Sequence, residues 1–265
     1  MNFVSVNFQQ TALVSVFDRA VSFGDGVFTT GLIYNSRLLM HDAHLERLQR
    51  SVQQLQLGDI DWRAVAEEIA LAAEHQEYGV LKVIISAGTS KRGYARDTSA
   101  RPTVIVQTSN YPQHYGHWRT EGIRMATAKT QLGINPLLAK IKHLNRLEQV
   151  LIRQELEQRA VDELLVTDIN GVVIECSSAN VFWRENGIWY TPKIVHAGVE
   201  GLIRQRLLRH LNAQQVTVEA QHLSAIDAMF ICNSVLGVAP VIELNGKKLG
   251  PEQALVSQLN QWLME

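Results

Sequence analysis

Two lysines, Lys140 and Lys142, lie in Ala139-Lys140-Ile141-Lys142-His143-Leu144-Asn145-Arg146-Leu147-Glu148-Gln149-Val150, between an apolar stretch and an expected helix. A lysine placed there can be partly buried. Burial lowers its pKa, and a neutral amine can attack a carbonyl or remove a proton from carbon. A solvated pair is the plainer reading, because lysines are almost never fully buried, and spacing leaves both readings open. Glu175, in Val173-Ile174-Glu175-Cys176-Ser177-Ser178-Ala179-Asn180-Val181-Phe182, is expected at a strand end before a turn of small residues. If enclosed, its carboxylate needs a cationic partner; if exposed, it is an ordinary strand-end glutamate. Arg47 lies off the Leu45-Leu48-Val52 stripe of its helix, so it is either a solvated flank or a phosphate ligand. Gly201-Leu202-Ile203 offers backbone N–H groups at a helix start, which suit an anion. His41 and His44 could approach one another, but no third ligand follows at a recognisable distance, and no metal site is expected.

These residues need elements to position them. Asp42 is expected to cap a helix whose Leu45, Leu48, Val52 and Leu55 recur at helical spacing, with Gly58 as the stop. A second helix from Asp61 carries Val65, Ile69 and Ala73 on one face, and Val80–Ser86 and Thr103–Thr108 read as buried strands. The first hundred residues thus read as α+β. Residues 110–118, polar and aromatic around Pro112, are the expected linker between a smaller domain, 1–109, and a larger one, 119–265. In the latter, Asn170-Gly171, Asn186-Gly187 and Asn245-Gly246 each predict a tight hairpin with positive φ at both positions, so much of its sheet should be antiparallel. Leu144, Leu147, Leu151 and Leu156 mark a helix just after Lys142, and Gly201–Leu211 another.

Composition narrows the possible functions. The 265 residues carry a formal net charge of −1, and no basic run exceeds Lys247-Lys248, so a nucleic-acid partner is not expected. The N-terminal residues lack the pattern of a secretion signal and no stretch has the length of a membrane span, which predicts a cytoplasmic chain. Cys176 and Cys232 have neither zinc-site nor disulfide spacing and are expected as buried free thiols. No dinucleotide fingerprint and no Walker loop is present.

Four stretches carry a resemblance: Phe23-Gly24-Asp25-Gly26-Val27-Phe28-Thr29-Thr30, Arg92-Gly93-Tyr94, Ile141–Arg153 (IKHLNRLEQVLIR) and Cys232–Val241 (CNSVLGVAPV). With them the chain resembles the fold-type IV pyridoxal phosphate (PLP) enzymes. That group holds branched-chain aminotransferases, D-amino-acid aminotransferases and 4-amino-4-deoxychorismate lyase, and the motifs are most similar to those of the lyase. The resemblance implies an α+β fold with a smaller N-terminal α/β domain, a larger C-terminal domain with an antiparallel-rich sheet or barrel, PLP in the cleft, and a homodimer. It implies conversion of 4-amino-4-deoxychorismate to 4-aminobenzoate and pyruvate, with a D- or branched-chain aminotransferase as the alternative.

Carried over by position, the resemblance makes Lys142 the lysine that holds PLP as a Schiff base, with Lys140 a neighbour lacking that role. Glu175 matches the acid that pairs with the pyridine nitrogen, and Arg47 the phosphate-binding arginine. Leu202 and Ile203 match phosphate-binding amides, and Asn233 and Ser234 a second phosphate-side loop. Two positions depart from the aminotransferases: Ile203 replaces a threonine hydroxyl, and Arg146 stands where a tyrosine meets the PLP 3′-oxygen. A substrate with two carboxylates should meet a cation, for which Arg92 is the candidate, with Thr30 also expected near substrate.

Overall fold

A computed structural model describes residues 2–90, 92–97, 99–250 and 252–265. The chain forms two compact units, the first running to Tyr111 and including Lys142–Asn145, the second made of Pro112–Ile141 and Arg146–Glu265. Lys142 therefore packs with the N-terminal unit although both flanking segments belong to the other.

The first unit contains, in order, β1 (Val4–Val6), α1 (Arg19–Phe23), β2 (Gly26–Tyr34), β3 (Arg37–Leu38), α2 (His41–Leu55), α3 (Trp62–Glu74), β4 (Tyr78–Ser86) and β5 (Thr103–Ser109). Among the described residues its strands form one antiparallel sheet, ordered β1-β5-β4-β2-β3. Strand alternation sorts the residues of β2. Val27, Thr29, Gly31 and Ile33, with Leu81, Val83 and Ile85 opposite them, are buried beneath α2 and α3, which contribute Leu48, Val52, Val65 and Ile69. Each such aliphatic side chain stabilises the fold by about 1.5–3 kcal/mol. The opposite face, with Phe28, Thr30, Lys82 and Ile84, is only half covered.

Asp61 caps α3, its Oδ1 accepting from the Ala64 N–H at 3.0 Å. Helix α2 starts differently from the expectation. Met40, at φ +54°, occupies the cap position without a side-chain bond, and Asp42 sits in the first turn, where its charge still complements the helix dipole. The helix stops at Leu55 because Gln56 turns left-handed at φ +50°, two residues before Gly58. Its buried face is His44, Arg47, Leu48, Ser51 and Val52, so polar groups share the stripe that apolar periodicity assigned to leucines.

The second unit contains α4 (His114–Glu121), β6 (Ile123–Thr127), α5 (Leu147–Glu157), β7 (Glu163–Thr167), β8 (Val173–Cys176), β9 (Asn180–Glu185), β10 (Ile188–Pro192), α6 (Leu202–His210), β11 (Gln214–Val216), β12 (Ala228–Asn233), β13 (Gly237–Leu244), β14 (Lys247–Lys248) and α7 (Gln253–Met264). Its strands run in the order β11-β10-β9-β12-β13-β6-β7-β8, with β14 beside β13. Most neighbours are antiparallel; β11 with β10, β13 with β6, and β6 with β7 are parallel. The core is a sheet-borne cluster including Trp183, Met229, Ile231 and Val241. Cys176 and Cys232 are buried and free.

The division between the units falls within residues 110–118, and a helix follows Lys142, with local differences from the expectations. Residues 110–118 hold the start of α4, and their aromatic character reflects ring contacts of His114 and Tyr115 with Trp118. In α5 the buried side chains are Ile152 and Leu156, packed with Ala126, Leu164 and Val166, while Leu147 is 71% and Leu151 46% exposed and Leu144 precedes the helix. Helical periodicity fixes spacing but not which stripe meets the core. Asn186-Gly187 and Asn245-Gly246 have positive φ at both positions as expected, but in Asn170-Gly171 only Gly171 does. There Asp168 Oδ1 accepts from the Asn170 and Val172 N–H groups and shapes a longer loop.

Candidate active site

In the first unit, Lys142 is locked to β2 by the backbone. Phe28 N–H donates to the Lys142 carbonyl at 2.8 Å and Leu144 N–H to the Gly26 carbonyl at 2.9 Å, around a bridge between Val27 and His143. This close pairing requires Gly26, where a Cβ would lie 2.4 Å from the Ile85 carbonyl oxygen and 2.8 Å from Leu144. Lys142 Nζ lies 4.5 Å from the centre of the ring of Phe28, a residue of the half-covered face, and its charge also acts on His44 under the other face. Lys82 reaches the same ring, its Nζ 5.0 Å from the centre, and burial lowers its pKa. Thr30 stands on this face, opposite Lys82 in register. Sequence reading missed Lys82, whose neighbours on β2 are about fifty residues away.

Beneath the other face of β2 lies a buried pair of basic side chains, His44 and Arg47. Arg47, 6% exposed, donates from Nη2 to Thr29 Oγ1, and His44 Nδ1 is 2.6 Å from the same oxygen. The alternative of a solvated flank for Arg47 is thereby excluded. Burial lowers its guanidinium to about 10, so it stays charged at neutral pH. Burial, with the Arg47 charge beside it, holds His44 well below the usual histidine range, so the imidazole is neutral. No salt bridge among the described residues includes Arg47, and its Nε has no protein partner. A buried cation without a carboxylate is costly unless an anion from outside completes it. His41, by contrast, is a surface group 3.0 Å from Asp42.

Arg92 lies exposed in a loop that is itself well anchored. Arg19, 4% exposed, donates to Asp25 at 2.7 Å, to Ser90 Oγ at 2.9 Å, and to the carbonyls of Gly93, Tyr94 and Ala95. Asp25 also accepts from Arg96, which donates in turn to the Leu55 and Gln56 carbonyls. Burial pushes the Asp25 carboxyl up, but the hydrogen bonds from Arg96 and Arg19 pull it below the usual range.

In the second unit, Glu175 is buried near the end of β8, and its Oε2 accepts from Val199 N–H at 2.8 Å. The Val199 carbonyl accepts from Asn180 Nδ2 at 2.9 Å, so one residue is gripped at both its N–H and its carbonyl by side chains flanking the Ser177–Ala179 turn. The gripped segment leads into α6, where Leu202 and Ile203 form the first turn with no side-chain cap, leaving their N–H groups to a ligand or solvent. Glycine is needed along it: a Cβ on Gly201 would lie 2.1 Å from Asn180 Oδ1, and Gly198, at φ +87°, faces Ile174 and Glu175. Arg204, 1% exposed, fixes the helix by donating to the Pro192 carbonyl and Gln215. At the end of β12, Asn233 Oδ1 accepts from the Val235 and Leu236 N–H groups, which shapes the Asn233–Ser234 turn. Arg146 donates to the Ile141 carbonyl at 2.8 Å; burial lowers its pKa, against an opposing pull from Glu175.

The first unit thus brings Lys142, Thr30, Lys82 and Arg47 together around β2, and the second holds Glu175, Leu202, Ile203, Asn233 and Ser234 at element ends and turns. Lys140 belongs to the second unit, bridged to Val199, and does not share the setting of Lys142. Asn180 and Arg204 were not singled out from sequence, although glycines at 198 and 201 hint at a close backbone approach.

Residues 26–244 match the amino-transferase class IV family. The chain is 34% identical over 233 residues to an aminodeoxychorismate lyase of Vibrio harveyi, covering 86% of each chain. It is 27% identical over 248 residues to a D-alanine aminotransferase of Bacillus licheniformis, covering 89% of this chain and 85% of that one. Among solved structures, the 4-amino-4-deoxychorismate lyase of Pseudomonas aeruginosa superposes with a TM-score of 0.89 at 32% identity, covering 98% of this chain and 97% of that one.

Proposed function

Because the chain belongs to the amino-transferase class IV family, we propose that it is a PLP-dependent lyase converting 4-amino-4-deoxychorismate to 4-aminobenzoate and pyruvate. The observation that carries the cofactor is Arg47: a buried guanidinium without a carboxylate fits a phosphate, and Lys142 supplies an amine in the same unit. The reaction is favoured over transamination by the stronger likeness to the lyases and by the substrate face itself. Lys82 lies over the same ring as Lys142, and with Arg92 it gives that unit two further cations for the two carboxylates of the substrate, where D-alanine has one.

In the first unit Arg47 would hold the phosphate; in the second, the amides of Leu202 and Ile203 and the Asn233–Ser234 turn are groups suited to an anion. Glu175, oriented by Val199, would keep the pyridine nitrogen protonated by favouring its charged form. When bound, PLP supplies an electron sink for charge released at the amine-bearing carbon. Lys142 would hold the cofactor at rest. Displaced by the substrate amine, its neutral Nζ would remove the proton from the carbon bearing nitrogen, the step that lets the ring become aromatic as enolpyruvate departs. The same Nζ would return a proton to the departing three-carbon unit, which leaves as pyruvate.

The enzyme acts in the cytoplasm as a homodimer, with no nucleic-acid partner. Support for the dimer comes from Leu13, Val16, Phe17 and Val21, apolar side chains that stay exposed in the first unit. A protein that is active as a strict monomer in sedimentation would contradict the dimer. The reaction is tested by supplying 4-amino-4-deoxychorismate and assaying both products. Stoichiometric 4-aminobenzoate and pyruvate are expected; amino transfer from D-alanine to a keto acid without either product would assign the aminotransferase instead.

A further inference from the structure

Glu163 opens β7 with 1% of its surface exposed, and the chemistry above does not use it. No salt bridge of the described residues includes it, and burial pushes its carboxyl up. Such a carboxylate is costly unless its oxygens are occupied, and here they are. Oε1 accepts from the N–H groups of Leu164 at 2.7 Å and Ser177 at 3.1 Å, and Oε2 lies 3.1 Å from Ser178 Oγ.

Ser177 and Ser178 form the turn between Glu175 and Asn180, the two side chains that grip Val199 ahead of α6. The Ser178 carbonyl accepts from Asn233 Nδ2 at 3.2 Å, and Asn233 Oδ1 holds the N–H groups of Val235 and Leu236. One buried side chain therefore braces the turn shared by the loop carrying Glu175 and the loop carrying Asn233 and Ser234. A turn N–H such as that of Ser177 needs a partner when withdrawn from water, and Glu163 is that partner from 14 residues away.

We propose that Glu163 is a positioning residue for the cofactor: without touching it, Glu163 fixes the Cys176–Ser178 turn and thereby the Glu175 carboxylate and the phosphate-side amides after Asn233. This rests on the reading of Glu175 and Asn233 as cofactor ligands. Glutamine can reproduce the pattern, its carbonyl oxygen serving Leu164 and Ser177 and its NH2 donating to Ser178 Oγ. Leucine keeps the volume and deletes every acceptor.

The test is a titration of apo protein with PLP, followed by the absorbance of the bound cofactor, for wild type, Glu163→Gln, Glu163→Leu and Ser178→Ala, with the melting temperature of each apo form. Glu163→Leu is expected to raise Kd at least about tenfold, as outer-sphere partners of bound groups do, Glu163→Gln to stay within about threefold, and Ser178→Ala, at an exposed position, to give a rise of about twofold to fivefold. A folded Glu163→Leu that binds PLP like wild type would overturn the proposal, as would Glu163→Gln binding as weakly as Glu163→Leu. If Glu163→Leu does not fold, wild-type affinity in Ser178→Ala overturns it. Wild type that takes up no PLP would instead remove the cofactor reading on which it rests.

Discussion

The two units bury charge in opposite ways. In the first, Arg47 and His44 lie under β2 sharing one hydroxyl, Thr29 Oγ1, and leave Arg47 Nε and His44 Nε2 without a protein partner. In the second, the carboxylates of Glu163 and Glu175 take N–H groups of turns and link one loop to the next. The Arg47 guanidinium, with a hydroxyl and no carboxylate beside it, suits an anion that arrives from outside, whereas the Glu163 carboxylate, its oxygens taken by two N–H groups and a hydroxyl, is a brace.

Lys142→Ala should lower 4-aminobenzoate formation by about 10³-fold or more, the scale of a lost general acid–base, whereas Lys140→Ala should stay near wild type. Equal losses in the two variants, measured as initial rates, would remove the distinction between the lysines. Arg47→Leu should weaken PLP binding by about 10²-fold while making the apo protein more stable, by roughly 1–3 kcal/mol, because replacing an unmatched buried charge with a fitted apolar group is often favourable. Opposite signs in affinity and apo melting temperature define a receptor site; destabilisation of the apo form would make Arg47 a brace after all.

Asp25→Asn should loosen the loop that carries Arg92 and raise the KM for substrate by about threefold to tenfold with a smaller change in kcat. The Asp25 carboxyl is depressed in the fold, so its contribution to stability is complete above the unfolded carboxylate pKa, about 3.9, and disappears as pH falls through the lower folded value. The stability gap between wild type and Asp25→Asn should therefore close in acid. The smallest effect concerns His44. Its pKa is also depressed, but it is a base: the unfolded imidazole takes up a proton below about pH 6.5 and the folded one does not, so stability falls as pH drops from there. Denaturant titrations from pH 8 to 5 should show a shallower decline in His44→Gln.

Local chemistry was legible where a few neighbouring residues decide it. Asp61 capping α3 and the Asn186-Gly187 and Asn245-Gly246 turns follow from side chains that bond or bend their own backbone. The candidate site was legible in the residue types of Lys142, Glu175 and Arg47 and in motif order, but not in geometry. The pairing of Lys142 with β2 joins segments more than a hundred residues apart, and Arg19 reaches its loop partners across 71 to 76 positions. No periodicity marks such contacts. The leucines after Lys142 marked a helix that is present, but their spacing does not say that Ile152 and Leu156, rather than Leu147 and Leu151, meet the sheet.

The proposed function has PLP bound covalently at the lysine locked to β2. Its most direct test is reduction of the cofactor-loaded protein with borohydride, followed by peptide mass spectrometry. A phosphopyridoxyl mass on Lys142 is predicted, lost in Lys142→Ala and kept in Lys140→Ala. The same mass on Lys140, or no adduct on the chain at all, would contradict the claim.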